Sequence, residues 1–169
     1  MIREHLEKKN PPEKPKQCVC KSDCPLNGDC HKEGVVYQAS VEVQGEPTKT
    51  YIGSCATSFK ARYANHKSSI KNESSLQKTA LSTFYHEKIK EGKIPYTPVG
   101  PRDFPKCIKF KILKLAKPFN VETGKCYLCL EEKLAIWKAD PRTSLNRRSE
   151  FMTSCPHKKN FTLAKYKDR

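Results

Sequence analysis

The sequence has no stretch approaching the ~20 consecutive apolar residues that a membrane span requires. Its first sixteen residues, MIREHLEKKNPPEKPK, hold no apolar core of the kind a secretory signal needs. An intracellular chain, nuclear or otherwise and not secreted, is the expectation. No internal repeat and no low-complexity tract is present, which argues against solenoids and fibres. Hydrophobic residues make up only 36%, and no strongly apolar amphipathic run accompanies the charge, so a membrane surface is a poor partner. Acidic residues are scarce: 18 Asp and Glu stand against 33 Lys and Arg, for a formal net charge of +15. That excess suits a polyanion, most simply nucleic acid. At 169 residues the chain is long enough for one real core, with room for a small appended module.

Nine cysteines are present, an odd number, and several lie at metal-ligand spacing. In an intracellular chain this reads as metal binding rather than disulfides. Cys18, Cys20, Cys24 and Cys30 fall within one short run, and Pro25-Leu26-Asn27-Gly28 supplies a turn between the last two. Cys126-x-x-Cys129 and Cys155-Pro156-His157 offer further ligands. Turn-bridged thiolates and an imidazole can share one zinc ion. Two groupings are open: Cys24 and Cys30 with Cys155 and His157, or Cys24 and Cys30 with Cys126 and Cys129. The first is preferred, with Cys18, Cys20, Cys126 and Cys129 as alternates. Cys126 and Cys129 have a second reading, as thiols that pack the start of a helix.

In chain order, residues 1–17 read as a polar, Pro-rich linker and 18–33 as a Cys-rich zinc-binding element. Val35 to Val43 and Lys49 to Gly53 are β-rich runs around a Gly/Pro break, the signature of a hairpin. A helical pattern opens at Thr57-Ser58-Phe59. Phe59, Tyr63 and His66 share one face, and Arg62 sits one turn before His66. Thr79 to Glu91 reads as the next helix, with Thr79 as its cap and Gly92 as its stop. Cys107 to Leu115 nearly alternates apolar residues with Lys and reads as a half-buried strand. Tyr127 to Lys138 reads as a third helix ended by Asp140-Pro141, and Leu145 to Met152 as a short final one. The tail from residue 158 is basic. The expected fold is α+β, a short, mostly antiparallel sheet flanked by helices.

Val35-Val36-Tyr37, then Tyr51-Ile52-Gly53, then Arg62-x-x-x-His66 resembles the GIY-YIG endonucleases, with Val in place of the first Gly. The run CPLNGDC (Cys24 to Cys30), the run CYLCLEEK (Cys126 to Lys133), the run Leu145 to Glu150 and the Cys155-Pro156-His157 ending extend the likeness. Together they resemble the endonuclease domain of Penelope-like retroelements, over residues 18 to 161, with 34–157 as the nuclease proper. The resemblance implies a metal-dependent DNA endonuclease, nicking DNA to prime reverse transcription. It also implies a reverse transcriptase domain or element RNA as possible partners. It assigns Tyr37, Tyr51, Arg62, His66, Glu132 and Asn146 to the site. Glu132 would hold Mg2+ or Mn2+, and Zn2+ would be structural.

The residue chemistry agrees with those roles. Magnesium needs only one or two carboxylates plus substrate oxygens. Arg62 can hold two phosphate oxygens through its planar fork. His66 suits a base, relay or orienter. Tyr37 or Tyr51 can position the attacking water or deprotonate it, the latter only with help from a metal or cation because a free Tyr titrates near ~10. Each residue also has a plain structural reading: exposed helix Glu, solvated Arg, core strand Tyr, surface His, capping Asn. Glu131 is the neighbouring alternative to Glu132, about 100° away around the helix. Two rival functions stand beside the retroelement nuclease: a zinc-stabilised nucleic-acid-binding module without catalysis, and a repair or branched-DNA nuclease.

Overall fold

The structure is a computed structural model that describes residues 18, 20, 24–75, 78–96, 100, 104–146 and 157. A three-stranded antiparallel sheet, ordered β2-β1-β3, lies between helices on its two faces. Its strands are β1 (Val35–Val41), β2 (Lys49–Cys55) and β3 (Ile108–Leu115), and its helices α1 (Phe59–Lys71), α2 (Ala80–Lys90) and α3 (Tyr127–Lys138). The expected α+β fold, hairpin and three helices are all present. Of the expected final helix, residues 147–152 lie outside the described residues. Its described start, Leu145 and Asn146, is not helical.

β1 is the central strand, and its alternation decides what each face holds. Val35, Tyr37, Ala39 and Val41 are fully buried on one face, with Phe59, Ile70, Leu81 and Tyr85 of α1 and α2 in the same clusters. Val36 turns to the other face and packs with Ile52 of β2 and Leu128 and Ile136 of α3. Period-two alternation in a strand gives this division directly. Thr79 caps α2 as expected. Its hydroxyl accepts from the Ser82 amide at 3.3 Å, and the Ser82 hydroxyl accepts from the Thr79 amide at 2.9 Å, a reciprocal capping box. In β3 only the start is well covered. Ile108 is buried, whereas Leu113 and Leu115 are exposed.

Helix α1 begins differently. Its cap residue, Ser58, makes no side-chain capping bond. The first amides are satisfied instead by the Cys-rich segment: Phe59 donates to the Lys32 carbonyl at 3.0 Å and Lys60 to the Cys30 carbonyl at 2.7 Å. Backbone amides at a helix start must find acceptors somewhere. Here the cysteine turn provides them, so the element carrying Cys30 also seats the helix carrying Arg62 and His66.

On the outer side of β2, residues 143–146 run parallel to it. Thr50 donates to Thr143 at 2.9 Å, and Leu145 donates back to Thr50 at 2.7 Å. The side chain of Asn146 continues the ladder. Its Oδ1 accepts from the Ile52 amide at 2.7 Å, and its Nδ2 donates to the Ile52 carbonyl at 2.8 Å. One side-chain amide thereby imitates a strand peptide along β2. Among the described residues, no helix is long and apolar enough to cross a membrane.

Candidate active site and metal-ligand clusters

Tyr37, Tyr51, Arg62 and His66 come together between β1, β2 and α1. The Tyr37 hydroxyl lies 2.6 Å from His66 Nε2, and Arg62 Nε donates to the same oxygen at 3.1 Å. Arg62 is also hydrogen-bonded to the Tyr51 hydroxyl. The rings of Tyr37 and Tyr51 stand 6.5 Å apart, and Tyr51 meets His66 edge-on at 5.9 Å. Tyr37 is fully buried and His66 is 1% exposed, so His66 is no surface histidine.

The proton inventory follows from the donors. Arg62 Nε–H can only donate, so the Tyr37 oxygen accepts there and its own proton is left for His66 Nε2. The ring proton of neutral His66 then sits on Nδ1, which is buried and has no hydrogen-bond partner among the described residues. An unmet buried donor costs roughly 1–3 kcal/mol. Burial, aided by the Arg62 charge, pulls the His66 pKa down to about 3. Burial first, then the charge of a Tyr51 phenolate, pushes Tyr37 above its ordinary range; Arg62 opposes that rise. Burial also works against the Arg62 charge, but its interactions with Tyr37 and Tyr51 more than offset this. At neutral pH the cluster is thus a neutral Tyr, a neutral His and a half-buried cation.

Gly53, the last residue of Tyr51-Ile52-Gly53, has a steric role that its place in a motif does not reveal. It pairs with Tyr37 across the hairpin. A Cβ at Gly53 would stand 2.5 Å from the Tyr37 hydroxyl oxygen and 2.8 Å from Cζ. The phenol can lie across the strand only because no side chain is there.

Glu132 sits on α3, half-buried. The Cys55 thiol, at the end of β2, is raised chiefly by burial, with Arg62 lowering it and Glu132 raising it. The cation from α1 and the carboxylate from α3 therefore act on one point of the sheet. Glu131 is engaged elsewhere, in an ion pair with Lys114 of β3 at 2.8 Å. Asn146, also assigned to the site, is bound to both backbone groups of Ile52.

Six of the described cysteines sort into two groups, neither of them the expected one. Cys30 Sγ lies 3.3 Å from Cys18 Sγ and 3.6 Å from Cys20 Sγ, and the thiol of Cys24 hydrogen-bonds within the same set. Far along the chain, His157 Nδ1 lies 3.3 Å from Cys126 Sγ and 3.6 Å from Cys129 Sγ. His157 also stacks on Phe119 at 4.6 Å. Ligand atoms sharing one zinc at about 2.3 Å stand roughly 3.8 Å apart in tetrahedral geometry, so both groups are close to that spacing. Each could hold a metal ion such as zinc. His157 thus joins Cys126 and Cys129, not Cys24 and Cys30, and Cys155 lies outside the described residues. Among the described residues, the ligand atom of His157 is grouped with those of Cys126 and Cys129 and not with that of Cys30.

The thiol chemistry supports a cation at the first group. Burial raises the Cys24 thiol, but bonds from the amides of Leu26, Gly28 and Cys30 outweigh it and bring its pKa to about 7. Cys30 is pushed far up, by burial and then by the neighbouring thiols. Four thiols this close cannot all ionise unless a cation compensates them.

Comparison with family models, with curated proteins and with solved structures returned no match for this chain.

Proposed function

We propose that the chain is a metal-dependent DNA endonuclease of the GIY-YIG kind, stabilised by structural zinc. The buried Tyr37–Arg62–His66 network carries this reading. A guanidinium held by two tyrosine hydroxyls is costly as mere structure, but it is a ready receiver for a phosphodiester. Its fork matches two phosphoryl oxygens, and partial burial strengthens the attraction.

In this reading Arg62 binds and neutralises the phosphoryl group. His66, too weakly basic to take a proton at neutral pH, accepts the Tyr37 hydrogen bond and fixes the phenol's orientation. Tyr37 and Tyr51 hold Arg62 in place through their hydroxyls. Glu132 is the carboxylate for a hard divalent cation by the sequence resemblance; its charge and that of Arg62 both act on Cys55, and one carboxylate plus substrate oxygens suffices. Such a cation supplies Lewis acidity and a more acidic water. The net charge of +15 supports DNA as substrate. Zinc at Cys18, Cys20, Cys24 and Cys30, and at Cys126, Cys129 and His157, would hold the elements that carry the site. The sequence resemblance extends the proposal to nicking for a retroelement's reverse transcription, with a reverse transcriptase domain or element RNA as partner.

Incubation of supercoiled plasmid with magnesium or manganese tests this. Conversion to open circles that EDTA abolishes is the expected result. Plasmid bound but never cut, with any divalent metal, would overturn the endonuclease reading in favour of a zinc-stabilised binding module.

A further inference from the structure

Arg62 and His66 also line an open cavity of about 350 Å³, completed by Asn65, Lys78 and Thr79. Among the described residues, every lining side chain is polar and none is acidic. Arg62 and Lys78 bring two positive charges. Thr79 is the cap of α2, an eleven-residue helix, so the positive end of a helix dipole lies at the same place. Glu73, the acidic residue whose field reaches Lys78, is engaged by Lys90 at 2.5 Å. A second, independent mark is His66 itself, almost wholly buried, with a ring nitrogen that no described residue satisfies.

This chemistry selects an anion. Among the described residues no carboxylate lines the cavity, so they offer no ligand there to a hard divalent cation, and Glu132 is not among its walls. It is therefore not where the proposed hydrolysis takes place, although Arg62 belongs to both. We propose that the cavity holds a neighbouring, uncut phosphate of the DNA strand, bound by Lys78, Asn65 and the start of α2, with Arg62 between that phosphate and the reacting one. The strand as ligand rests on the endonuclease reading; the phosphate preference rests on the cavity alone. Lys78 is then a positioning residue. It fixes the strand's register so that the next phosphate meets Arg62.

The test measures binding without metal, using a set of duplexes that each carry one uncharged methylphosphonate linkage at successive positions. The parent protein loses affinity at one linkage. Lys78→Ala binds more weakly everywhere, and its plot of log K against log[salt] is shallower by about 0.9. It also no longer distinguishes that linkage from an ordinary one. Lys71→Ala, which removes an exposed lysine at the end of α1, still distinguishes it. Parental affinity and slope for Lys78→Ala, retained sensitivity at the same linkage, or a parent that binds no DNA would each overturn the proposal. If Lys78 and the linkage are coupled but no metal supports nicking, the phosphate cavity stands and the endonuclease reading falls.

Discussion

The carbonyl of Cys30 accepts a hydrogen bond from the amide of Lys60 at 2.7 Å, and Lys60 lies two residues before Arg62. This contact ties the first metal-ligand group to the position of the helix that bears the candidate site. α1 has no side-chain cap of its own to fall back on.

Loss of metal from the first group should therefore unseat α1. Structural zinc in small modules is worth roughly 10–16 kcal/mol apparent. Cys30→Ser is expected to lower zinc content, lower the melting temperature and abolish nicking together. The check is metal analysis of the purified variant alongside melting and plasmid nicking. A variant with parental zinc and parental melting would show that Cys30 holds no ion.

Gly53→Ala should disturb the site without touching a charged group. Its Cβ must displace the Tyr37 hydroxyl, which His66 and Arg62 hold in place. Overpacking of this kind costs about 1–3 kcal/mol. Nicking is expected to fall much further than DNA binding, because binding rests on many surface cations. Parental melting and parental nicking would mean that the phenol has room the geometry does not show.

His66 makes stability depend on pH. Its folded value, about 3, lies below the ordinary 6.5. Below about pH 6.5 the unfolded chain takes a proton that the folded chain refuses, so its contribution is constant above that pH. It is lost at about 1.4 kcal/mol per unit as pH falls from 6.5 toward 3. Denaturant midpoints at pH 7 and pH 4.5, for the parent and for His66→Gln, isolate the effect from other titrating groups. The parent should lose about 3 kcal/mol more than the variant over that interval. Equal losses would contradict a buried neutral imidazole.

Much of this fold can be read from local pattern. The spacing of Phe59, Tyr63 and His66 gives the inner face of α1, Thr79 gives the start of α2, and the alternation in Cys107 to Leu115 gives β3. The meeting of Tyr37 with His66 follows from a hairpin and a helix placed in order. What stays hidden is decided by backbone or by the third dimension. The Lys32 and Cys30 carbonyls cap α1 without leaving any side-chain signature. Asn146 bridges to Ile52 across 94 residues, a pairing no local rule indicates. The assignment of His157 to Cys126 and Cys129 depends on where the chain returns, and ligand spacing alone carries no such information.

The most direct test of metal-dependent cleavage pairs nicking with DNA binding in Glu132→Gln and Glu131→Gln. Metal chemistry acts on the transition state, where charge grows on the phosphoryl and leaving oxygens. Loss of its candidate protein carboxylate should cost several kcal/mol there, on the order of a thousandfold in rate. Glu132→Gln is thus expected to bind DNA at least as well as the parent and to nick at most a thousandth as fast, while Glu131→Gln, losing only its bond to Lys114, nicks normally. Parental nicking by Glu132→Gln would contradict the assignment of Glu132 as the metal's carboxylate, and with it the proposed site.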